Sequence, residues 1–254
     1  MKGILTFSQL GRYGRFANGV FQVASTIGIA RKQGFRFEFP LWVNHDHRDR
    51  FGSTEDVDIY KHLANELPLS DGRSFPEMYY QWGYHEVQLP MGNWDLLGHL
   101  QSDKYFRSHI DEVRHYLTFK DEFVNNDYVA IHYRAGDYID DPNAYHPRCT
   151  KEYYVEAMKL FPGRRFLLFS DDHAAWVKMT GIENVSMMPG QDYIYDFKLM
   201  KSCHSFIIAN SSYSLAAAIL ANQPGKQIVC PKKWFGDVAG MTWNDIYPEN
   251  SIVI

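Results

Sequence analysis

The sequence predicts an α/β fold in two halves, and two observations support this prediction. Short apolar runs typical of buried strands alternate with stretches in which apolar residues recur every three or four positions, the spacing of an amphipathic helix. The polar stretch 120–127 interrupts this pattern near the middle of the chain, and the pattern restarts at Tyr128. Strands that alternate with helices form parallel sheets through right-handed crossovers, so we expect an open parallel sheet.

The first half begins with a predicted strand, a glycine- and arginine-rich loop at 10–19, and a helix. In the helix, Val20, Val23 and Ile27 recur at helical spacing. The stretch 41–73 has weak periodicity and is expected to form surface loops and short helices. Strands are predicted at 3–9, 35–39, 78–84 and 94–100, and helices at 20–32 and 104–117.

The second half shows strict alternation and is predicted to be a doubly wound unit. Its strands are predicted at 128–132, 165–170, 184–187, 205–209 and 227–229. Its helices are predicted at 151–161, 174–180, 193–202 and 213–221. We therefore divide the chain into an N-terminal domain, 1–122, and a C-terminal domain, 123–254.

Composition and charge exclude several classes of protein. With 254 residues, 45% of them hydrophobic, the chain is globular and long enough to build a core without disulfides or a structural metal. There are 26 Lys and Arg against 30 Asp and Glu, a net charge of −4. A general nucleic-acid binder depends on a basic surface, so we expect no nucleic-acid partner.

The cysteines and the apolar stretches bear on location. The three cysteines, Cys149, Cys203 and Cys230, are far apart and form no CxxC pair, which favours reduced thiols in a cytoplasmic setting. No stretch reaches the roughly 18 apolar residues of a membrane span, and the N-terminus has no signal-peptide pattern. We expect a cytoplasmic protein that acts from the membrane surface if its substrate is membrane-linked.

Polar residues follow three predicted strands of the second half. The first ends at His132 and is followed by Arg134, the second ends at Ser170 and is followed by Asp171 and Asp172, and Asn210 to Ser214 follow the third. Open α/β sheets bind ligands beyond the carboxyl ends of their strands. Hydroxyls and a helix N-terminus suit a phosphate, an arginine can hold further phosphate oxygens, and carboxylates can accept from a base or ribose. Together these residues predict a site for an anionic, nucleotide-type ligand.

Each of these features also has a purely structural interpretation. Asp171-Asp172 and Asn210-Ser211-Ser212 are typical helix N-caps, and a histidine in a buried strand is usually a hydrogen-bonded core residue. The sequence contains no GxxxxGK[ST] motif, which excludes a P-loop ATPase.

Five segments, spread over almost the whole chain, form a recognisable set of motifs. His132–Tyr138 has the pattern HxRxGDY, Gly98–Phe106 has the pattern G-x-x-Q-S-x-K-Y-F, and Gly14–Gln22 is a loop with Gly, Asn and Phe-Gln. The other two segments are Phe169–Asp172 and the stretch 196–220. In their order and content these segments resemble the alpha-1,2-fucosyltransferase family.

The resemblance implies an inverting, metal-independent transferase with a GT-B-like fold of two facing Rossmann-like domains. It implies GDP-fucose as donor, with no further cofactor, and a glycan acceptor whose galactose O2 is the expected position. Arg134 would hold the β-phosphate, and Asn18 would approach from the N-terminal domain. Asp137 and His132 are the nearest candidates for a general base, although none is firmly assigned. In the implied donor site, Asp171 or Asp172 would face guanine, and the three serines from Ser211 to Ser214 would surround the phosphate. The implied donor-binding residues are Arg15, Phe16, Arg134, Ser170, Asp171, Asp172, Asn210, Ser211, Ser212 and Ser214.

Three alternatives stay open at this point. The same fold could use another nucleotide sugar or another acceptor position. Ala135 stands where the family usually has a second arginine, so a non-catalytic module that binds GDP or a glycan is also compatible with the sequence. Finally, the protein could be a scaffold in which the polar residues at the strand ends serve only as helix caps. Asp56-Val57-Asp58 matches the two-carboxylate pattern of manganese-dependent transferases but follows no predicted strand, and we predict no metal site.

Overall fold

The computed structural model describes residues 2–45, 56–80, 83–135, 145–188, 192–237 and 243–254. The chain divides into two compact units, Met1–Asp121 with Thr242–Ile246, and Glu122–Met241 with Tyr247–Ile254. The sequence assigns 242–246 to the second domain, whereas the structure places this segment in the first unit. The reason is a set of contacts made by Asp245 with Ser102 and Lys104.

The first unit contains a four-stranded parallel sheet. The strands described in the first unit are β1 (Ile4–Thr6), β2 (Arg36–Phe37), β3 (Val43–Asn44), β4 (Val57–Asp58), β5 (Glu77–Tyr80) and β6 (Trp94–Gly98). The sheet has the order β2-β1-β6-β5, and every neighbouring pair in it is parallel. β3 and β4 form a separate antiparallel pair, which the sequence does not predict.

Helix α1 (Phe16–Gln33) is buried along most of its length. It begins four residues before the predicted start because Phe16 and Ala17 are themselves buried in the core. It ends at Gly34, whose left-handed backbone (φ 79°) lets its N–H donate to the Ala30 carbonyl. A Cβ on Gly28 would lie 2.3 Å from the Tyr105 carbonyl oxygen, so this glycine permits close packing of the helix on the chain at 105–106.

The prediction of a helix at 104–117 is wrong for the first half of that range. Two 3₁₀ turns, Asp103–Tyr105 and Arg107–His109, precede a short helix α2 (Ile110–Tyr116). Ser102 accepts a hydrogen bond from the Lys104 N–H, and both residues are also held by Asp245. These contacts favour tight local turns over a continuous helix at this point.

The second unit contains a six-stranded parallel sheet with doubly wound order. Its strands are β7 (Val129–Tyr133), β8 (Phe166–Ser170), β9 (Ser186–Met187), β10 (Ser205–Ile207), β11 (Ile228–Cys230) and β12 (Ile252–Val253). The spatial order is β12-β11-β10-β7-β8-β9, with all neighbours parallel. If the six strands are renumbered 1 to 6 from β7 and the order is read from the β9 edge, it is 3-2-1-4-5-6, the Rossmann order. β12 is the only one of these strands that the sequence does not predict.

Four helices of the described chain connect these strands, each close to its predicted position. They are α3 (Lys151–Lys159), α4 (His173–Thr180), α5 (Tyr193–Lys201) and α6 (Ser212–Leu220). Thr150 caps the start of α3, and Asp192 caps the start of α5, where its carboxylate accepts from two backbone N–H groups. No helix in the described ranges is long and apolar enough to cross a membrane.

An aromatic cluster fixes the carboxyl end of β7. The Tyr133 ring lies 5.6 Å from that of Trp176 and 6.0 Å from that of Tyr154, and both pairs meet edge to face. The Tyr154 hydroxyl donates to the His132 carbonyl oxygen at 2.9 Å. Ala135, one residue beyond Arg134, is fully buried in the same apolar core. His132 and Arg134, which alternate with Tyr133 and Ala135 along the chain, are therefore held in place at the carboxyl end of β7.

Candidate active site

The second unit carries a topological switch point between β7 and β10. These neighbouring strands have connections that leave in opposite directions, which opens a crevice at their carboxyl ends. Arg134 follows β7, and Ser211 follows β10 as the cap of α6. The sheet thus brings together the first and third of the polar segments indicated by the sequence.

Arg134 is held by Asp171, which follows the neighbouring strand β8. An Asp171 carboxylate oxygen lies 2.8 Å from Arg134 Nη1, and the other oxygen accepts from the Ala135 N–H at 2.8 Å. Both carboxylate oxygens are therefore engaged with the chain that follows β7. The arginine is oriented in advance, which is the property required of a group that stabilises developing negative charge.

His132, two residues before Arg134, is buried and hydrogen-bonded. Its Nδ1 lies 2.8 Å from the Ser214 hydroxyl oxygen, and Ser214 Oγ donates to the Ser211 carbonyl at 3.3 Å. Burial and the nearby charge of Arg134 lower the pKa of His132 to about 3, so the imidazole is neutral near pH 7. A group with so low a pKa is a weak proton acceptor, and this favours a supporting role over that of a general base.

The predicted cap residues do form caps. Asp172 accepts from the Ala175 N–H at 2.8 Å at the start of α4, and the Ser170 hydroxyl accepts from the Asp172 N–H at 2.9 Å. Ser211 accepts from the Tyr213 N–H at the start of α6. Ser212 is the first residue of that helix and is partly exposed. The structural interpretation therefore holds for Asp172 and Ser211, and a nucleotide contact by either stays a prediction.

Asn210 ties two loops of the second unit together. Its Nδ2 donates to the Pro147 carbonyl at 2.8 Å and to the Trp234 carbonyl at 2.9 Å. Its side chain is almost fully buried, and Cys149 Sγ lies 3.8 Å from its Oδ1. The residue supports the end of β10 through these contacts, and its predicted part in donor binding stays a prediction.

Asn18, Arg15 and Phe16 belong to the first unit. Phe16 is buried and stacks on Trp42, with ring centroids 5.9 Å apart, so its ring packs in the core. Arg15 is the partly exposed N-cap residue of α1, and Asn18 lies partly exposed in the first turn. Asn18 Oδ1 accepts a hydrogen bond from Gln101 Nε2. The predicted candidate Asp137 lies outside the described residues.

Two contacts made by predicted site residues, one in each unit, were not predicted from the sequence. The resemblance includes Gln101 in a matched segment without a role, and the structure shows that it contacts Asn18. The partnership of Arg134 with Asp171 also appears only in the structure. Within the described ranges, no group of three or more His, Cys, Asp or Glu side chains is placed to hold a metal ion. Asp58 pairs with Lys61 at 3.3 Å.

The second unit thus has the Rossmann strand order, with Arg134 and the start of α6 at its switch point, and comparisons with known proteins define the family. The family model described as "Glycosyl transferase family 11" matches residues 58–250, about three quarters of the chain. The chain belongs to glycosyl transferase family 11.

Two curated relatives from Escherichia coli match parts of the chain. One is an alpha-1,2-colitosyltransferase, 28% identical in an alignment of 166 residues that covers 57% of this chain and 57% of the relative. The other is the O-antigen biosynthesis glycosyltransferase WbnK, 31% identical in an alignment of 121 residues that covers 44% of this chain and 40% of WbnK. The matches thus span only about half the length of these relatives.

Solved structures confirm the fold class. The apo structure of POFUT1 matches with a TM-score of 0.51 and 10% identity, over 90% of this chain and 97% of POFUT1. The fucosyltransferase NodZ from Bradyrhizobium matches with a TM-score of 0.50 and 11% identity, over 87% of this chain and 93% of NodZ. The α/β, GT-B-like fold with two Rossmann-like units is therefore confirmed, and the facing arrangement of the units stays a prediction.

Proposed function

We propose that this protein transfers L-fucose from GDP-fucose to a hydroxyl of a glycan acceptor, with galactose O2 as the expected position. The transfer inverts the anomeric centre and uses no metal ion. Family membership and the name of the relative that is an alpha-1,2-colitosyltransferase support transfer of a sugar to O2. GDP-fucose as donor rests on the resemblance to alpha-1,2-fucosyltransferases.

The observation that carries the proposal is the placement of Arg134. It stands at the end of β7, locked by Asp171, across the switch point from the N-terminus of α6. As the glycosidic bond to a nucleoside diphosphate breaks, the sugar becomes oxocarbenium-like and the leaving phosphate gains charge. A fixed guanidinium and backbone N–H groups at a helix start can stabilise that charge without a metal.

In the proposed mechanism, each residue of the second unit has a separate role. Arg134 binds the β-phosphate, and Ser212 with the N–H groups at the start of α6 contacts the same diphosphate. His132 is neutral and supports the helix start through Ser214. Asp171 positions Arg134. No side chain of the described second unit is assigned as general base, and Asp137 remains the candidate for that role.

The experiment is a donor assay on wild type and the Arg134→Ala variant, with a chelator present. Wild type should release GDP from GDP-fucose, and the variant should be slower by about 10²-fold or more, the loss typical of one charge-stabilising donor. Arg165→Ala is the matched control, because Arg165 lies over the Tyr128 ring at the opposite end of β8. Activity of Arg134→Ala near that of wild type would refute the role of this arginine.

Transfer of colitose is the second candidate function, favoured by the alpha-1,2-colitosyltransferase relative. Colitose lacks the 3-hydroxyl of fucose, so both donors can place the same diphosphate on Arg134. Competition between GDP-fucose and GDP-colitose in one reaction, read by mass spectrometry of the product, separates the two. GDP binding without product from any acceptor would instead indicate a non-catalytic module.

A further inference from the structure

We propose that Gln101 is a positioning residue that fixes the orientation of the Asn18 carboxamide for sugar transfer. This inference rests on the proposed function, because the orientation of Asn18 affects transfer only if Asn18 meets a substrate. It assigns a role to a side chain for which the sequence indicates none.

The hydrogen bond between the two amides decides which atom of Asn18 is presented. Gln101 Nε2 donates to Asn18 Oδ1, so the oxygen of Asn18 is engaged and its Nδ2 is left to donate elsewhere. Gly14 reserves the space that Nδ2 occupies, because a Cβ on Gly14 would lie 2.4 Å from this atom. Gly14 also has φ +85°, a conformation that favours glycine.

The loop that carries Gln101 is pinned on both sides. Leu100 has φ +50°, which is rare for a leucine, and its carbonyl accepts a buried hydrogen bond from the Ser25 hydroxyl of α1 at 2.9 Å. The Ser102 hydroxyl donates to the Asp245 carbonyl at 2.5 Å. A backbone conformation of this kind persists only where its surroundings hold it, and such positions cluster at functional sites.

The chemical consequence follows from the charge that develops during transfer. A carboxamide that presents N–H groups can donate to a phosphate oxygen or a sugar hydroxyl, and this stabilises negative charge as it forms. The reversed carboxamide would present its carbonyl oxygen, which repels a phosphate oxygen and can only accept a hydrogen bond from a sugar hydroxyl. Gln101 therefore selects the productive orientation of Asn18.

The first test is Gln101→Glu, which keeps the shape and removes the N–H donor. Asn18 must then turn its own N–H groups toward the new carboxylate, so its oxygen faces the substrate. We expect kcat to fall by about 10²-fold, as for the loss of one oriented donor, with the donor KM little changed. Gln88→Glu is the matched control, because Gln88 is an exposed glutamine of the same unit.

The second test is a double-mutant cycle with Asn18→Ala. If Gln101 acts through Asn18, Gln101→Glu should have no further effect on kcat once Asn18 is alanine. Equal losses with and without Asn18 would overturn the inference and indicate a general structural role. Gln101→Met, which also lacks the donor but adds no charge, should show the same dependence on Asn18, and thermal unfolding of each variant separates misfolding from misorientation.

The outcomes also separate this inference from the proposed function. Wild-type transfer with additive losses in the cycle would overturn the role of Gln101 alone. A wild-type protein that transfers no sugar from any nucleotide sugar would overturn both.

Discussion

Replacing Asp171 with alanine should destabilise the second unit and misplace Arg134 at the same time. The substitution removes the acceptor of two contacts of 2.8 Å, one with Arg134 Nη1 and one with the Ala135 N–H. The Arg134 side chain is 22% exposed and that of Asp171 is 12% exposed. This ion pair is thus intermediate between a surface pair, worth about 0–1 kcal/mol, and a buried pair, whose disruption costs about 3–5 kcal/mol.

The expected loss is the sum of these two contacts. We expect about 2 kcal/mol from the ion pair, because Arg134 retains some contact with water, and about 1 kcal/mol from the buried N–H left without its acceptor. At about 2–4 °C per kcal/mol for a chain of this size, the unfolding midpoint should fall by about 6–12 °C. GDP should also bind more weakly to the variant, since its arginine is no longer held.

The assay is urea unfolding followed by tryptophan fluorescence, together with titration calorimetry with GDP. The matched control is Asp192→Ala, which removes the carboxylate that caps α5, a loss of about 1 kcal/mol. The reasoning is refuted if Asp171→Ala destabilises the protein no more than Asp192→Ala does, or if Asp171→Ala binds GDP as wild type does.

Three further predictions concern backbone strain, pH and loop support. Gly14→Ala should lower kcat and stability by more than Gly72→Ala does. Both glycines have a similar φ (+85° and +83°), but of the two only Gly14 has a close neighbour, the Asn18 side chain. Steady-state kinetics and thermal unfolding of the two variants check this expectation. Burial lowers the pKa of His132 from 6.5 to about 3 in the folded protein. Between these two pH values the unfolded chain binds more protons than the folded one, so the free energy of unfolding should fall as the pH falls, by up to about 1.4 kcal/mol per pH unit below pH 6.5. Urea unfolding of His132→Asn should show a shallower fall over this range, and an unchanged slope would contradict the assignment. Asn210→Ala should lose about 2 kcal/mol of stability, since the buried carbonyl of Trp234 and the partly buried carbonyl of Pro147 both lose their donor. A change smaller than the error of urea unfolding would show that the two loops keep their positions without Asn210.

The periodicity of the sequence is sufficient to predict every described strand of the second unit except β12, and each of its four described helices. Its strands and helices alternate with clear apolar runs, and right-handed crossovers then leave few possible sheet orders. The polar residues after β7 and β10 could be placed at one edge because parallel strands end on the same side. Their functional interpretation and their interpretation as caps share the same residue types, so the sequence alone left both open.

Contacts between distant residues account for what the sequence did not show. The start of the predicted helix 104–117 is replaced by turns because Asp245, about 140 positions away, holds Ser102 and Lys104. Likewise, no local pattern indicates that Asp171 turns toward Arg134 rather than toward a ligand. The Asn18–Gln101 hydrogen bond depends on the pairing of β1 with β6, which sequence spacing cannot reveal.

The central claim is that Arg134 receives the leaving diphosphate of a GDP-linked sugar without a metal ion. Its most direct test is nucleotide release from a panel of GDP- and UDP-sugars in the presence of a chelator, for wild type and Arg134→Ala. The account predicts GDP release from GDP-fucose by wild type and a loss of about 10²-fold or more in the variant. Release from UDP-sugars alone, or only after a divalent cation is added, would contradict it.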